Sequence, residues 1–366
     1  MKKRHEGIDL LRCTAMLMIT VLHIMNHGGI LRTAVVGTTS YHGAWLMESA
    51  AYCAVNCYAL ITGYICIKTE HRYRRIVPLW LQVAFYSVVI ALVQPLLLPG
   101  ADRTPLLAAL TPVIHHRYWY FTCYFGLFFL MPLINKGILA MSRREAAQLL
   151  ISLFLVFSVM SVLPYFNLLK SVKTEDVFGL GEGYSVLWLA LMYVAGACIR
   201  LHGFGREIKG WRLLTGYSAC VLVSWLFKLF ATEDASETLK PLLDSNALLY
   251  YPNLLTVIAA VCLLLLFSRL RELPPLTGKL VRLAAPSTFA IYLIHEHAAV
   301  RSGLIYKRFA SLAADPPLTL CAKVFLIAVL IFLTGVLIDL GRRYLFRLLR
   351  VEQAVDALAD RFVPED

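Results

Sequence analysis

The chain has 366 residues, 59% of them hydrophobic and only 16% charged, against about 25% charged in a typical soluble domain. That deficit excludes a water-exposed surface over this length, so the chain reads as one membrane-embedded unit rather than two or three soluble domains. The formal net charge of +12 would suit a nucleic-acid binder only with basic residues on a wet face; here they fill short gaps between apolar runs, and no nucleic-acid partner is expected.

A membrane span needs about 20 mostly apolar residues. Ten stretches qualify: about 9–27, 43–66, 76–98, 118–140, 148–167, 184–201, 212–231, 247–268, 283–306 and 320–341. The expected fold is an all-α polytopic membrane protein of about ten transmembrane helices. Met1-Lys2-Lys3-Arg4 before an apolar run resembles the start of a signal peptide, but Asp9 and Arg12 intrude and no small-residue cleavage site follows. The first span is therefore read as uncleaved. Alternate loops are basic: Lys68, Arg72, Arg74 and Arg75; Arg143 and Arg144; Arg200, Arg206 and Lys209; Arg269, Arg271, Lys279 and Arg282. The opposite loops hold few, among them Arg32, Arg103, Lys170, Lys173 and Lys240. The positive-inside rule then puts both termini in the cytoplasm. Residues 1–343 form the transmembrane domain, and 344–366 a cytoplasmic, amphipathic tail. The nine cysteines fall in or beside apolar runs without a paired zinc spacing and are read as small buried hydrophobes. Trp45, Tyr118, Trp119, Tyr120, Trp188, Trp211, Tyr250 and Tyr251 cluster near span ends, as an interfacial aromatic belt does.

Ionisable groups inside a span are costly and mark candidate sites. The first span carries Asp9, Arg12, His23 and His27. Arg12 and His23 are eleven residues apart, close to three helical turns, so they share a face about 16 Å apart along the axis. Asp9, one turn before Arg12, is placed to pair with it. Arg72-Tyr73-Arg74-Arg75 precedes the third span; arginine suits bidentate phosphate contact, although ordinary positive-inside charge explains the cluster equally. The ninth span holds His295, Glu296 and His297, and Glu48 lies in the second. His115, His116 and Arg117 are read as a wet loop.

Several of these stretches together resemble the membrane-bound acyltransferase-3 family. "GIDLLRCTAMLMITVLHI" carries that family's Arg, ten residues, then His in the first span, here Arg12 and His23. Arg72 and Arg75 match its Arg-x-x-Arg pair. "ALITGYICI", "YWYFTCYFGLFFLMPLI" and "STFAIYLIHEHA" resemble its later segments. Where many members end in a Ser-Tyr-Arg-rich motif this chain has "VLIDLGRR", and no role is assigned to Asp339. The resemblance implies a multi-pass enzyme of the inner or plasma membrane. It would move an acyl group, commonly acetyl, from cytoplasmic acyl-CoA to a hydroxyl of an envelope carbohydrate or lipid-linked acceptor. Acetyl-CoA would be the co-substrate and no metal is expected. Arg72, Arg75 and Arg12 would hold the donor, and His23 would act as general base with Arg12 in the catalytic set. A base of this kind has an orienting partner. His295 and Glu296 lie about 18–20 Å along the ninth span, and His23 about 21 Å above Asp9, so the depths match and allow contact, although a polar pair that locks helices together explains them equally. The rival reading is a multi-pass transporter or flippase of an envelope lipid or glycan.

Overall fold

The computed structural model describes residues 5–97, 100, 105–160, 162–163, 176, 178–236, 239–351, 353–355 and 357. Arg103, Lys170, Lys173, part of the expected fifth span and the end of the tail lie outside the described residues. Those described are all-helical, with no strand.

Among the described residues, six helical stretches are long and apolar enough to cross a membrane: Glu6–Thr33, Thr39–Cys66, Tyr73–Leu97, Trp119–Ala140, Gly210–Asp234 and Pro317–Leu348. They contain α1 (Glu6–Asn26) with the short α2 (Ile30–Thr33), the pair α3 (Thr39–Ala51) and α4 (Ala54–Cys66), then α5 (Ile76–Leu97). After a short α6 (Leu106–Leu110) comes α7 (Trp119–Ala140), followed by α8 (Arg143–Phe154) and α9 (Val186–His202). The chain closes with α10 (Gly210–Leu229), α11 (Leu254–Phe267), α12 (Pro275–Ala284), α13 (Thr288–His295), α14 (Ala298–Val300) and α15 (Pro317–Leu348). Of the expected ten, α9 and α11 are apolar but shorter. The fifth begins on α8 and loosens into a π-helical turn, Leu155–Met160. The ninth is not one helix. It breaks after His295, where His297 takes an extended conformation and caps α14, its Nδ1 accepting from the Ala299 N–H at 3.2 Å. The all-α polytopic fold is as expected, with the stretch expected as the ninth span divided among α13, α14 and the turn between them. The boundary drawn at 343 falls inside α15, which runs on to Leu348.

α1 is the central helix. It packs on α3, α4, α11, α12, α13 and α15, and 61% of its most apolar stretch is buried against 17% for the stretch containing α5. Apolar faces of α5 and α15, Leu92, Leu96 and Leu337 among them, are exposed, as lipid-facing helices require.

α4 and α9 cross with their backbones touching. A Cβ on Gly63 would collide with the Tyr193 carbonyl, and one on Gly196 with the Leu60 carbonyl. Small residues allow such close approach where dispersion must hold helices together in lipid. Buried Asn56 locks the crossing: Trp188 Nε1 donates to its Oδ1 at 2.9 Å, and its Nδ2 donates to the Tyr251 carbonyl at 2.9 Å.

α15 is tied to α5 by fully buried Asp339, whose Oδ1 accepts from Tyr86 Oη at 2.8 Å and Arg342 Nε at 2.7 Å. Tyr86→Phe is expected to cost about 1 kcal/mol, the scale of an interhelical hydrogen bond in a membrane. Asp339→Ala is expected to cost more, since it leaves the part-buried Arg342 without its carboxylate. Thermal unfolding in detergent measures both.

The basic loops meet at one end of the bundle. Glu6 accepts from the Leu273 N–H at 2.8 Å and pairs with Arg282. Arg200 NH1 donates to Tyr64 Oη at 3.1 Å. Arg143 lies over the Phe204 ring, and Arg269 donates to the carbonyls of Gly205 and Arg206.

Candidate active site

α1 carries its polar groups along one side, as the eleven-residue spacing requires. Arg12 NH1 lies 3.5 Å from Asp9 Oδ1. Near the other end of the helix His23 faces a cavity of about 290 Å³, shared by His27, Glu48, Glu296, Arg301 and a wall of aromatic rings. α13 delivers His295 to this point, and the break that follows turns the chain so that Glu296 and Arg301 reach it too.

The hydrogen-bond network fixes the tautomers. His295 Nδ1 lies 2.6 Å from the Ile291 carbonyl. A carbonyl only accepts, so Nδ1 carries the proton and, in the neutral ring, Nε2 is an acceptor. His23 Nδ1 lies 2.9 Å from that Nε2 and must therefore donate. Neutral His23 then carries its lone pair on Nε2. Glu296 Oε2 stands 3.2 Å from the same His23 Nδ1 and 3.7 Å from His27 Nε2, while Arg301 pairs with Oε1. A carboxylate there stabilises a positive charge on the imidazole, and Arg301 offsets it when the imidazole is neutral.

His23, His27 and Glu296 present ligand atoms within 4.8 Å of one another. Two imidazoles and a carboxylate suit a divalent cation; the Arg301 guanidinium pairs with the other carboxylate oxygen, Oε1.

A second, smaller cavity of about 90 Å³ lies at the basic end, lined by Cys66, Thr69, Glu70, His71, Arg75, Leu79, Tyr124, Phe128, Met131 and Asn135. Burial and then the Arg75 charge lower the pKa of His71, so near neutral pH the cation there is Arg75. Arg75 NH1 also donates to the Glu70 carbonyl at 2.8 Å. Arg72 is placed differently from the sequence expectation. Its Nε and NH2 grip the Glu70 carboxylate at 3.0 and 2.8 Å, and it does not line the cavity. Arg12 lines neither cavity but stands between them. It is within electrostatic reach of Tyr58 and Tyr120 on the larger and of Cys66 and Tyr124 on the smaller. Tyr58 Oη donates to the Arg12 carbonyl at 2.8 Å.

The structure thus brings His23, His295 and Glu296 together, sets Arg12 about 16 Å further along α1, and puts Arg75, not Arg72, on a cavity wall. The belt reading fails for five aromatics. Tyr118 and Trp188 are core residues, and Trp119, Tyr120 and Tyr251 line the larger cavity. Trp211 is exposed. Arg301 was missed, although a charge five residues after Glu296 in an apolar run was itself a signal. His115 and His116 are exposed and away from the cavity.

No curated protein and no solved structure matches the chain. Residues 5–339 match the acyltransferase domain of the acyltransferase-3 family, a span that includes Arg12, His23, Arg72, Arg75, His295 and Glu296. An all-helical membrane bundle, in which His23 lines an internal cavity and is hydrogen-bonded to His295 behind it, carries that match over nearly its whole length: the chain belongs to the acyltransferase-3 family and is a membrane acyltransferase.

Proposed function

We propose that the protein transfers an acetyl group from cytoplasmic acetyl-CoA to a hydroxyl of an envelope carbohydrate or lipid-linked acceptor. In this reading the enzyme is embedded in the inner or plasma membrane with the basic end of the bundle in the cytoplasm. The observation that carries it is the tautomer of His23, whose lone pair on Nε2 belongs to a ring lining the cavity.

The donor's diphosphate cannot enter hydrocarbon. It stays at the basic end against Arg75, with Arg72 adding to the local field. The thin pantetheine arm runs past Arg12 toward the larger cavity. There the acceptor hydroxyl gives its proton to His23 Nε2 while its oxygen attacks the thioester carbonyl. The tetrahedral intermediate collapses with cleavage of the C–S bond, and the sulfur leaves as the thiol with the proton returned from His23. Glu296 and the Nδ1–H···Nε2 bond to His295 hold the imidazolium in between, which is how a positioned base contributes to rate.

The test uses purified protein in lipid nanodiscs with labelled acetyl-CoA and an envelope extract, following CoA release. Arg75→Ala is expected to raise KM for acetyl-CoA about tenfold or more with kcat unchanged, the loss of one charge-assisted contact. Arg72→Ala is expected to raise it less than about threefold, because this arginine is already paired with the Glu70 carboxylate and does not line the cavity. An Arg72 effect as large as that of Arg75 moves the donor site out of the smaller cavity. Label that stays on CoA with every extract removes acetyl-CoA as donor.

A further inference from the structure

Glu48 sits in the last turn of α3 and lines the larger cavity, yet it has no part in the transfer chemistry described above. It is 4% exposed, and its Oε2 is sealed from solvent without a hydrogen-bond partner. Among the described residues no basic side chain pairs with it, whereas Glu296, the other acid of the cavity, has Arg301. A carboxyl removed from water needs a partner. The rings of Tyr52, Tyr184, Tyr251 and Trp119 close the cavity here. Tyr52 and Tyr251 have centroids 5.1 Å apart, Tyr184 and Tyr251 5.3 Å, and Trp119 and Tyr184 4.4 Å. The first three of these rings lie within electrostatic reach of Glu48. Ring faces beside an acid without a counter-ion attract an organic cation.

We infer that Glu48 and these four rings form a subsite for an ammonium group, so that the acceptor bears an amine as well as the hydroxyl that is acylated. This rests on the reading of the larger cavity as the acceptor's chamber. The carboxylate pairs with the ammonium and keeps it protonated, which removes the amine as a competing nucleophile. An amino sugar and an amino-alcohol lipid headgroup share this chemistry.

The experiment is equilibrium binding of labelled glucosamine, N-acetylglucosamine and ethanolamine to the full-length protein in nanodiscs, with no acyl donor present. Glucosamine is expected to bind about tenfold or more tightly than N-acetylglucosamine, the same ring without the charge. That preference is expected to vanish in Glu48→Gln. Binding of ethanolamine at least as tight as that of glucosamine, and lost in Glu48→Gln, assigns the amine to a lipid headgroup; the reverse order assigns it to a sugar. Equal binding of glucosamine and N-acetylglucosamine to the wild type overturns the inference and needs no variant to fold. A preference that survives in Glu48→Gln overturns it as well. Because no acyl donor is used, loss of acetyl transfer in a separate assay leaves this result standing, and the two readings fail independently.

Discussion

His23→Ala is expected to lower kcat for acyl transfer by about 10²- to 10⁴-fold, the range contributed by a positioned general base, with KM for acetyl-CoA within about twofold of wild type. The substitution removes the ring whose lone pair the network directs away from His295. His295→Ala is expected to cost less, about 10- to 100-fold, since the base survives while its tautomer is no longer imposed. Single-turnover transfer of labelled acetyl from acetyl-CoA measures both. If His23→Ala transfers at the wild-type rate, His23 is not the base. If His295→Ala is the more damaging of the two, the roles of the rings are exchanged.

The largest effect on folding is expected at the α4–α9 crossing. Gly196→Val would drive its side chain into the Leu60 carbonyl of α4, and Gly63→Val would do the same to the Tyr193 carbonyl of α9. Backbone cannot yield as a flexible side chain does, so the helices must separate. Overpacking of this kind costs about 3 kcal/mol or more. Separation also pulls Asn56 from Trp188 and releases Tyr251 from the cavity wall. Gly137 and Gly341, helical glycines with nothing near the position of a Cβ, are the controls. Alanine there is expected to leave stability equal or raise it by up to about 1 kcal/mol through helix propensity. Thermal unfolding and yield of folded protein in detergent separate the two classes. A Gly196→Val protein that melts with the wild type would show that the crossing relaxes.

The parts of the site legible in the sequence were those governed by helical arithmetic. Arg12 and His23 share a face because both belong to one unbroken helix. The meeting of His23 with His295 follows from counting rise along two helices from the same end. The tyrosine wall was not legible for a physical reason. Tyr52 lies where α3 gives way to α4, Trp119 opens α7, and Tyr184 and Tyr251 stand in turns before α9 and α11. No period links them, and an aromatic near a span end looks the same facing lipid headgroups or a cavity. Arg72 and Arg75 were indistinguishable because the choice between them is made by Glu70, through a fold of the loop that local spacing does not encode. The break in the ninth span was hidden because apolar residues resume on both sides of His295-Glu296-His297.

That break decides which side chain stands beside Glu296. In an uninterrupted helix, residues five apart point about 140° away from each other, and only three- and four-residue separations bring side chains into contact. Glu296 and Arg301 are five apart and nevertheless joined, because the chain leaves the helical path at His297. The charge balance of the chamber is thus written in the backbone: a change that straightened this stretch, with every side chain kept, would carry the guanidinium to another face and leave the acid without its counter-ion beside His23.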